Sequence, residues 1–353
     1  LSVLLVAWAA TAVWHSIKPL PEGLSIATPL RAAPGTRFIA DYTFVDSAGI
    51  RQVEQRIFDR LLEHINRARY LVVLDMFLFN DFAGAAEGAD MRPLSDELAE
   101  ALIDRMREIP GLRVIVITDP INTVYGALQS ERFERMRSAG IEIVKTDLHR
   151  LRDSNPAWSG LWRLCCRWFG NTAESGWLPN PLGERPVTLR GLLALLNFKA
   201  NHRKTFVADS PTGWVGLVTS GNPHDASSAH SNIAIEFHGP AVLDLLETER
   251  AVARFSVPGL DWPDASLVDA PRPETSIPGL ALQVLTEAEI RDAVLATLDR
   301  AGEGDAVELA MFYLSHRDII GGLRRAARRG VRVSVFTQFD GGVFTLFDGC
   351  RWA

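Results

Sequence analysis

The chain has 353 residues, 47% hydrophobic and 23% charged, the balance of an ordinary globular protein with length for two modest domains. A net charge of -6 and a pI near 5.8 give no overall attraction to a phosphate backbone, which argues against a nucleic-acid partner unless a local basic groove exists. Three cysteines, Cys165, Cys166 and Cys350, make neither a disulfide framework nor a zinc-ligand spacing, so no metal or other cofactor is expected. The adjacent pair reads as small apolar residues in a buried or membrane-facing helix rather than a redox couple.

Residues 1–14, LSVLLVAWAATAVW, carry no charge and lead into His15, Lys18, Pro19 and Pro21. The run is shorter than the roughly 20 residues of a full membrane span and matches the apolar region of a signal peptide in length. No small-x-small cleavage pattern precedes residues 18–24, and Trp14 has the character of an interfacial anchor. Residues 1–35 are therefore expected to be an uncleaved membrane anchor, which places the protein at a bacterial inner membrane, facing the periplasm.

Val53, Ile57, Leu61 and Ile65 recur at helical spacing, and residues 70–79 (YLVVLDMFLF) form a dense apolar run of the buried-strand kind. Leu94, Leu98, Leu102 and Met106 mark a second helix. Residues 113–118 (RVIVIT) mark a second strand, a helix follows around Phe133, and residues 141–144 mark a third strand. This alternation predicts a mostly parallel or mixed sheet flanked by helices.

Pro258, Pro263, Pro271, Pro273 and Pro278 make residues 257–280 a linker. Beyond it the order repeats. Thr286 and Glu289 have capping-box spacing, and the helix they open runs through Ile290, Val294 and Leu298. Residues 306–314 (AVELAMFYL) form a strand, 319–329 a helix and 331–337 another strand, with MFYL at 311–314 answering MFLF at 76–79. Repetition across more than 200 residues predicts duplicated α/β halves. The second half, 281–353, is short, and its final GGVFTLFDGCRWA shows no helix or strand pattern.

In FKANHRKTFVADSPTGWVGLVTSGNPHD, His202 and Lys204 lie one residue apart, so on a strand both face the same side. Asp209 follows five residues after Lys204, a strand over 214–218 delivers Thr219, Ser220, Gly221 and Asn222, and a strand over 232–237 ends near Glu236. An isolated His-x-Lys is usually a solvated surface pair, but that reading leaves Asp209, Ser220 and Asn222 unexplained. His224 and His230 read as loop residues. Arg324, Arg325, Arg328 and Arg329 read as a solvated helix face. Trp158, Leu161, Trp162, Cys165 and Phe169 share a helical face and, with 191–198 (GLLALLNF), read as core or as a surface lying in the lipid interface.

The spacing resembles the phospholipase D superfamily signature: His-x-Lys, four residues, Asp, then Gly-Ser-x-Asn after a strand. His202, Lys204, Asp209, Ser220 and Asn222 match it, and Thr219 stands where the family usually has Gly. The resemblance, which also takes in 117–126 (ITDPINTVYG), implies an α/β/α sandwich with a mixed sheet, one full half over 36–256 and a partial second half. It implies a metal-independent phosphodiesterase or phosphatidyltransferase acting on phospholipid at a membrane through a phosphohistidine on His202. Lys204 and Asn222 would hold the nonbridging oxygens, Ser220 would add a hydroxyl or position a neighbour, and Asp209 or Glu236 would orient the histidine.

The family's leaving-group acid is a second histidine from a second motif. His316, in YLSHRD, has no Lys two positions on and does not replace it. Either a homodimer combines two copies of the first motif or the chain is a truncated relative, and the incomplete second half favours truncation. A nuclease of the same superfamily and a noncatalytic membrane-associated binding protein are the alternatives.

Overall fold

The structure, a computed structural model, describes residues 2–33, 35–82, 91–168, 172–211, 213–267, 280–339 and 342–346. It divides into two units, residues 1–24 with 28–284 and residues 25–27 with 285–353. The first unit contains α1 (Ser2–Ile17), β1 (Arg31–Ala32), β2 (Arg37–Val45), β3 (Arg51–Glu54), α2 (Ile57–Ile65), β4 (Leu71–Met76), α3 (Leu94–Glu108), β5 (Arg113–Thr118) and α4 (Glu131–Ser138). It continues through β6 (Glu142–Lys145), α5 (Pro156–Cys165), α6 (Leu189–Leu195), β7 (Lys204–Ser210), β8 (Gly213–Thr219), β9 (Asn232–His238), α7 (Pro240–Ser256) and β10 (Ala281–Leu282).

Eight of these strands form one mixed sheet in the order β3-β2-β9-β8-β7-β4-β5-β6. The pairs β4–β5 and β5–β6 are parallel, joined by α3 and α4 as crossovers, and the other pairs, β4–β7 included, are antiparallel. All six residues of β4 are buried because helices cover both faces of the sheet. Ile57, Leu61 and Ile65 of α2 pack with Leu98 and Leu102 of α3 and Phe133 of α4 on one face. Val242, Leu245 and Leu246 of α7 pack on the other. The α/β architecture with a mixed sheet is the one expected from the alternation.

Several local expectations need correction. Val53 continues the periodicity of Ile57, Leu61 and Ile65, yet it lies in β3, in a hairpin with β2 that the sequence did not reveal. The apolar run 70–79 leaves the regular ladder after Met76, because Leu78 N and Phe79 N donate to the side chains of Asn222 and Asn122 instead. Cys165 and Cys166, read as plain apolar residues, are joined by a disulfide at the end of α5. Trp162 of the α5 stripe is buried, whereas Leu161 is exposed. Phe169, Pro271, Pro273, Pro278 and Cys350 lie outside the described residues.

The second unit contains α8 (Ala288–Arg300), β11 (Ala306–Met311), α9 (Arg317–Arg328), β12 (Arg332–Phe339) and β13 (Gly342–Leu346). β11 and β12 pair in parallel, as β4 and β5 do, so the predicted repeat has the same helix–strand–helix–strand form. The predicted capping box is not made: Thr286 Oγ1 accepts from Ile26 N, and no side chain caps α8. Residues 342–346, read as patternless, pair antiparallel with β12.

Candidate active site

β7 and β8 pair antiparallel from Thr205 opposite Val218 to Ser210 opposite Gly213. The residues just before Thr205 and just after Val218 therefore emerge side by side at one end of the sheet. His202 lies just before β7, not on it, and the neighbouring edge is supplied by residues 77–80, where Phe77 N donates to Arg203 O at 3.0 Å. The His202 ring packs on the Phe77 ring with centroids 4.5 Å apart. Lys204 Nζ sits 5.2 Å from the same ring and within 3.2 Å of His202 Nδ1.

These contacts fix the protonation chemistry. Desolvation of the imidazole, and then the Lys204 charge, lower the His202 pKa to about 4, so the ring is neutral at neutral pH while its outer edge stays exposed. Nδ1 accepts from the ammonium, which puts the remaining proton on Nε2. Burial lowers Lys204 to about 8, against the opposing influence of Asp75. Asp75 is fully buried, and burial, followed by the nearby Glu249 carboxylate, pushes its own pKa well up.

A buried scaffold, invisible to motif reading, holds this platform. Asn201 Nδ2 donates to Asp75 Oδ1 at 2.8 Å, and Asn201 N donates to Asp119 Oδ2 at 2.7 Å. Burial raises Asp119 to about 7 despite that hydrogen bond and the one from Ile121 N. Asn122 Oδ1 accepts from Phe79 N at 2.8 Å while its Nδ2 donates to Phe77 O at 2.9 Å, clamping the strip that carries the Phe77 ring. Asn122 lies in the 3-10 turn Pro120–Gly126, where Val124 and Tyr125 have φ of 43° and 55°. Gly191 of α6 lies flush on that turn: a Cβ there would meet Ala127 Cβ at 2.7 Å. The signal in the sequence was a cluster of short polar residues at the ends of apolar strands.

The motif residues do not all converge. Asn222 is held on the same 77–80 strip that packs against His202. Its Oδ1 accepts from Leu78 N at 3.0 Å, and no hydrogen bond engages its Nδ2 among the described residues. His224 Nδ1 lies 3.2 Å from Asn80 O, at an isolated bridge between residues 80 and 224 beyond the ends of β4 and β8. Ser220 turns away, since its Oγ donates to Asn232 Oδ1 and accepts from Ile233 N, both at 3.0 Å.

Asp209 and Glu236, the two candidates for orienting His202, both stand elsewhere. Asp209 is five residues from Lys204 along β7, about 17 Å at the rise of a strand. It accepts from the backbone N–H groups of Arg69, Tyr70 and Leu71, the last two at 2.8 Å. Glu236 lies opposite Leu217 in mid-sheet and binds Arg60 and His64 of α2. Asp209→Ala strands three amide groups, so it should lower unfolding stability by about 3 kcal/mol. Urea unfolding checks this, and the surviving folded protein should turn over at nearly the wild-type rate.

Among the described residues no three His, Cys, Asp or Glu side chains are grouped to hold a metal ion. No protein-family model matches the chain, and no curated protein matches it. Similar solved structures include phosphatidylserine synthase from Haemophilus influenzae, 11% identical with a TM-score of 0.48, covering 95% of this chain and 66% of that one. Polyphosphate kinase from Porphyromonas gingivalis is 13% identical with a TM-score of 0.41; the match covers 86% of this chain but only 37% of the kinase. Nuc, a phospholipase D family member from Salmonella typhimurium, is 12% identical with a TM-score of 0.33, covering 63% of this chain and 95% of that one. These likenesses concern the fold.

Proposed function

We propose that this chain is a phosphodiesterase or phosphatidyltransferase of the phospholipase D type, acting on phospholipid at a membrane through a phosphohistidine on His202. The observation that carries the reading is the exposed His202 imidazole packed at a tilt against the Phe77 ring, with Lys204 Nζ 3.2 Å from its Nδ1.

In this reading a phosphodiester anion draws Lys204 off Nδ1 onto a nonbridging oxygen, and Asn222 Nδ2 donates to the same group. With Nδ1 released, the ring exchanges its Nε2 proton with solvent and takes one up on Nδ1, and the freed Nε2 lone pair attacks phosphorus. The P–N bond forms as the P–O bond to the leaving alcohol breaks. The leaving oxygen takes a proton from a second histidine, the His202 of a second copy of this chain in a homodimer, whose charged form the facing phosphate anion favours, and that histidine takes up the proton of the water or alcohol in the second step. Water or an alcohol then attacks phosphorus and breaks the P–N bond, giving hydrolysis or headgroup transfer.

Headgroup release from a panel of phospholipids, with chelator present, tests the substrate. Cleavage of single-stranded DNA with no release from any lipid would overturn the lipid reading in favour of a nuclease.

The pH profile tests the two shifted groups. His202 must be neutral to attack, so the rate falls as pH drops through about 4. Lys204 must be charged to hold the phosphate, so the rate falls again as pH rises through about 8. Bis(p-nitrophenyl) phosphate, whose leaving group needs no acid, isolates these two limbs. A base limb near 10 would show that burial does not lower Lys204, and a base limb that persists unchanged in Lys204→Met would remove Lys204 from its assigned role.

A further inference from the structure

The helix α1 is inside out. Its half-buried stripe is Ala7, Trp8, Thr11, Ala12, His15 and Ser16, small or polar apart from Trp8. Val3, Leu4, Val6, Val13, Trp14 and Ile17 all face outward, Val3 at 81% exposure. A surface helix in water normally turns its aliphatic stripe to the core.

The inward stripe is genuinely packed. Trp8 Nε1 donates to Ala157 O on α5 at 2.8 Å, and a Cβ on Gly160 of α5 would meet Ala12 Cβ at 3.1 Å. The reversal therefore belongs to a docked helix. The apolar face continues across α5 through Leu161, Leu164 and Trp168, and reaches Leu196 and Phe198 after α6. Trp158 Nε1 to Leu193 O and Asn155 Nδ2 to Leu196 O tie α5 to that segment. Phe198, 68% exposed, stands four residues before His202.

Charge identifies what covers this face. Residues 2–18, 147–168 and 187–204 carry nine Lys and Arg and two acidic residues, Asp147, which pairs with Arg150 at 3.6 Å, and Asp153, in a chain whose net charge is -6. Asp153 is itself buried between Arg163 and Lys199. Lys18, Arg150, Arg152, Arg167 and Arg190 remain at least partly exposed around the apolar face, and the Arg167 guanidinium lies 3.9 Å over the Trp168 ring. Aliphatic side chains ringed by cations and aromatic rings match an anionic bilayer surface. Nucleic acid would leave the aliphatic face unrewarded, and two copies meeting through this face would bring the same positive segments together.

We propose that α1, α5 and the segment after α6 form one docking surface for anionic phospholipid membranes, which sets the His202 end of the sheet at the headgroup layer. This deepens the lipid reading above, yet binding is measured without turnover.

Flotation of the full chain with vesicles of phosphatidylcholine, with and without phosphatidylglycerol, is the experiment. Binding to the anionic vesicles should be at least tenfold tighter and should weaken with salt. Arg150→Gln and Arg167→Gln should each cost about fivefold. Leu4→Ser, Val6→Ser and Trp14→Ser combined should abolish binding with an unchanged melting temperature, because these side chains touch no core. His202→Ala should bind as wild type. Equal partitioning into both vesicles, wild-type binding by the triple variant, or a dimer that the triple variant dissociates would each overturn the surface, as would an oligonucleotide bound as tightly as the vesicles. Turnover of a soluble short-chain phospholipid without vesicle binding sinks this surface alone; vesicle binding without turnover of any lipid sinks the catalytic reading alone.

Discussion

His202→Ala is expected to lower turnover of any phosphodiester substrate by about ten-thousandfold or more, the scale seen when a covalent nucleophile is removed. The loss should fall on kcat rather than on KM, since the ring contributes a bond that exists only after attack begins. Folding should be unaffected: the outer edge of the ring is exposed, and its inner face touches Phe77 and Lys204. Quenching the wild type in base with a phosphorus-labelled substrate should trap an acid-labile phosphoenzyme that the variant lacks. A variant that keeps more than about a hundredth of wild-type turnover would leave another residue as the nucleophile.

The same assay ranks the other motif positions, and the structure ranks them unequally. Lys204→Met should cost about a hundredfold to a thousandfold, because it removes the charge that meets the nonbridging oxygen. Ser220→Ala should cost less than about tenfold. Its hydroxyl is already engaged by Asn232 and Ile233 on β9. A sequence motif assigns both residues to one constellation, but hydrogen-bond partners separate them.

What was legible in the sequence is what local pattern encodes. The runs LVVLDM and RVIVIT are buried on both faces apart from the half-buried Arg113, and their largely apolar composition says so, Asp75 and Thr118 being the buried polar exceptions. His202 and Lys204 are neighbours by chain connectivity, so their pairing was readable once the strand was placed. What was not legible depends on partners distant in sequence. Val53 fits the helical period of Ile57, yet it pairs with Thr43 because a hairpin edge was available. Glu236 ends an apolar strand near the motif, but its partner Arg60 is 176 residues away. Asn122 and Asn201, which hold the platform beneath His202, carry no periodicity at all. Asn122 takes its role from backbone groups left unpaired where β4 stops at Met76, and Asn201 from the buried carboxylates of Asp75 and Asp119.

Glu236 offers the largest expected stability effect. Its side chain is fully buried, with Arg60 Nε at 2.5 Å and Nη2 at 2.9 Å from its two oxygens, and His64 and His238 at 3.1 and 3.3 Å. Burial alone would raise its pKa, but the hydrogen bonds from Arg60, His238 and His64 prevail and hold the carboxylate far below its usual range. Arg60→Met leaves that carboxylate buried beside two histidines without its main partner, a change expected to cost about 3–5 kcal/mol. At a few degrees per kcal/mol for a unit of this size, the melting temperature should fall by about 10 °C. A folded-state pKa below the unfolded value means the group stabilises fully above the ordinary glutamate range and loses its contribution as pH falls below about 4. The gap between wild type and Arg60→Met should therefore narrow in acid. Glu236→Gln should likewise destabilise while leaving the rate per folded molecule, and both pH limbs, unchanged. A large drop in kcat with normal stability would instead return Glu236 to the role of orienting His202.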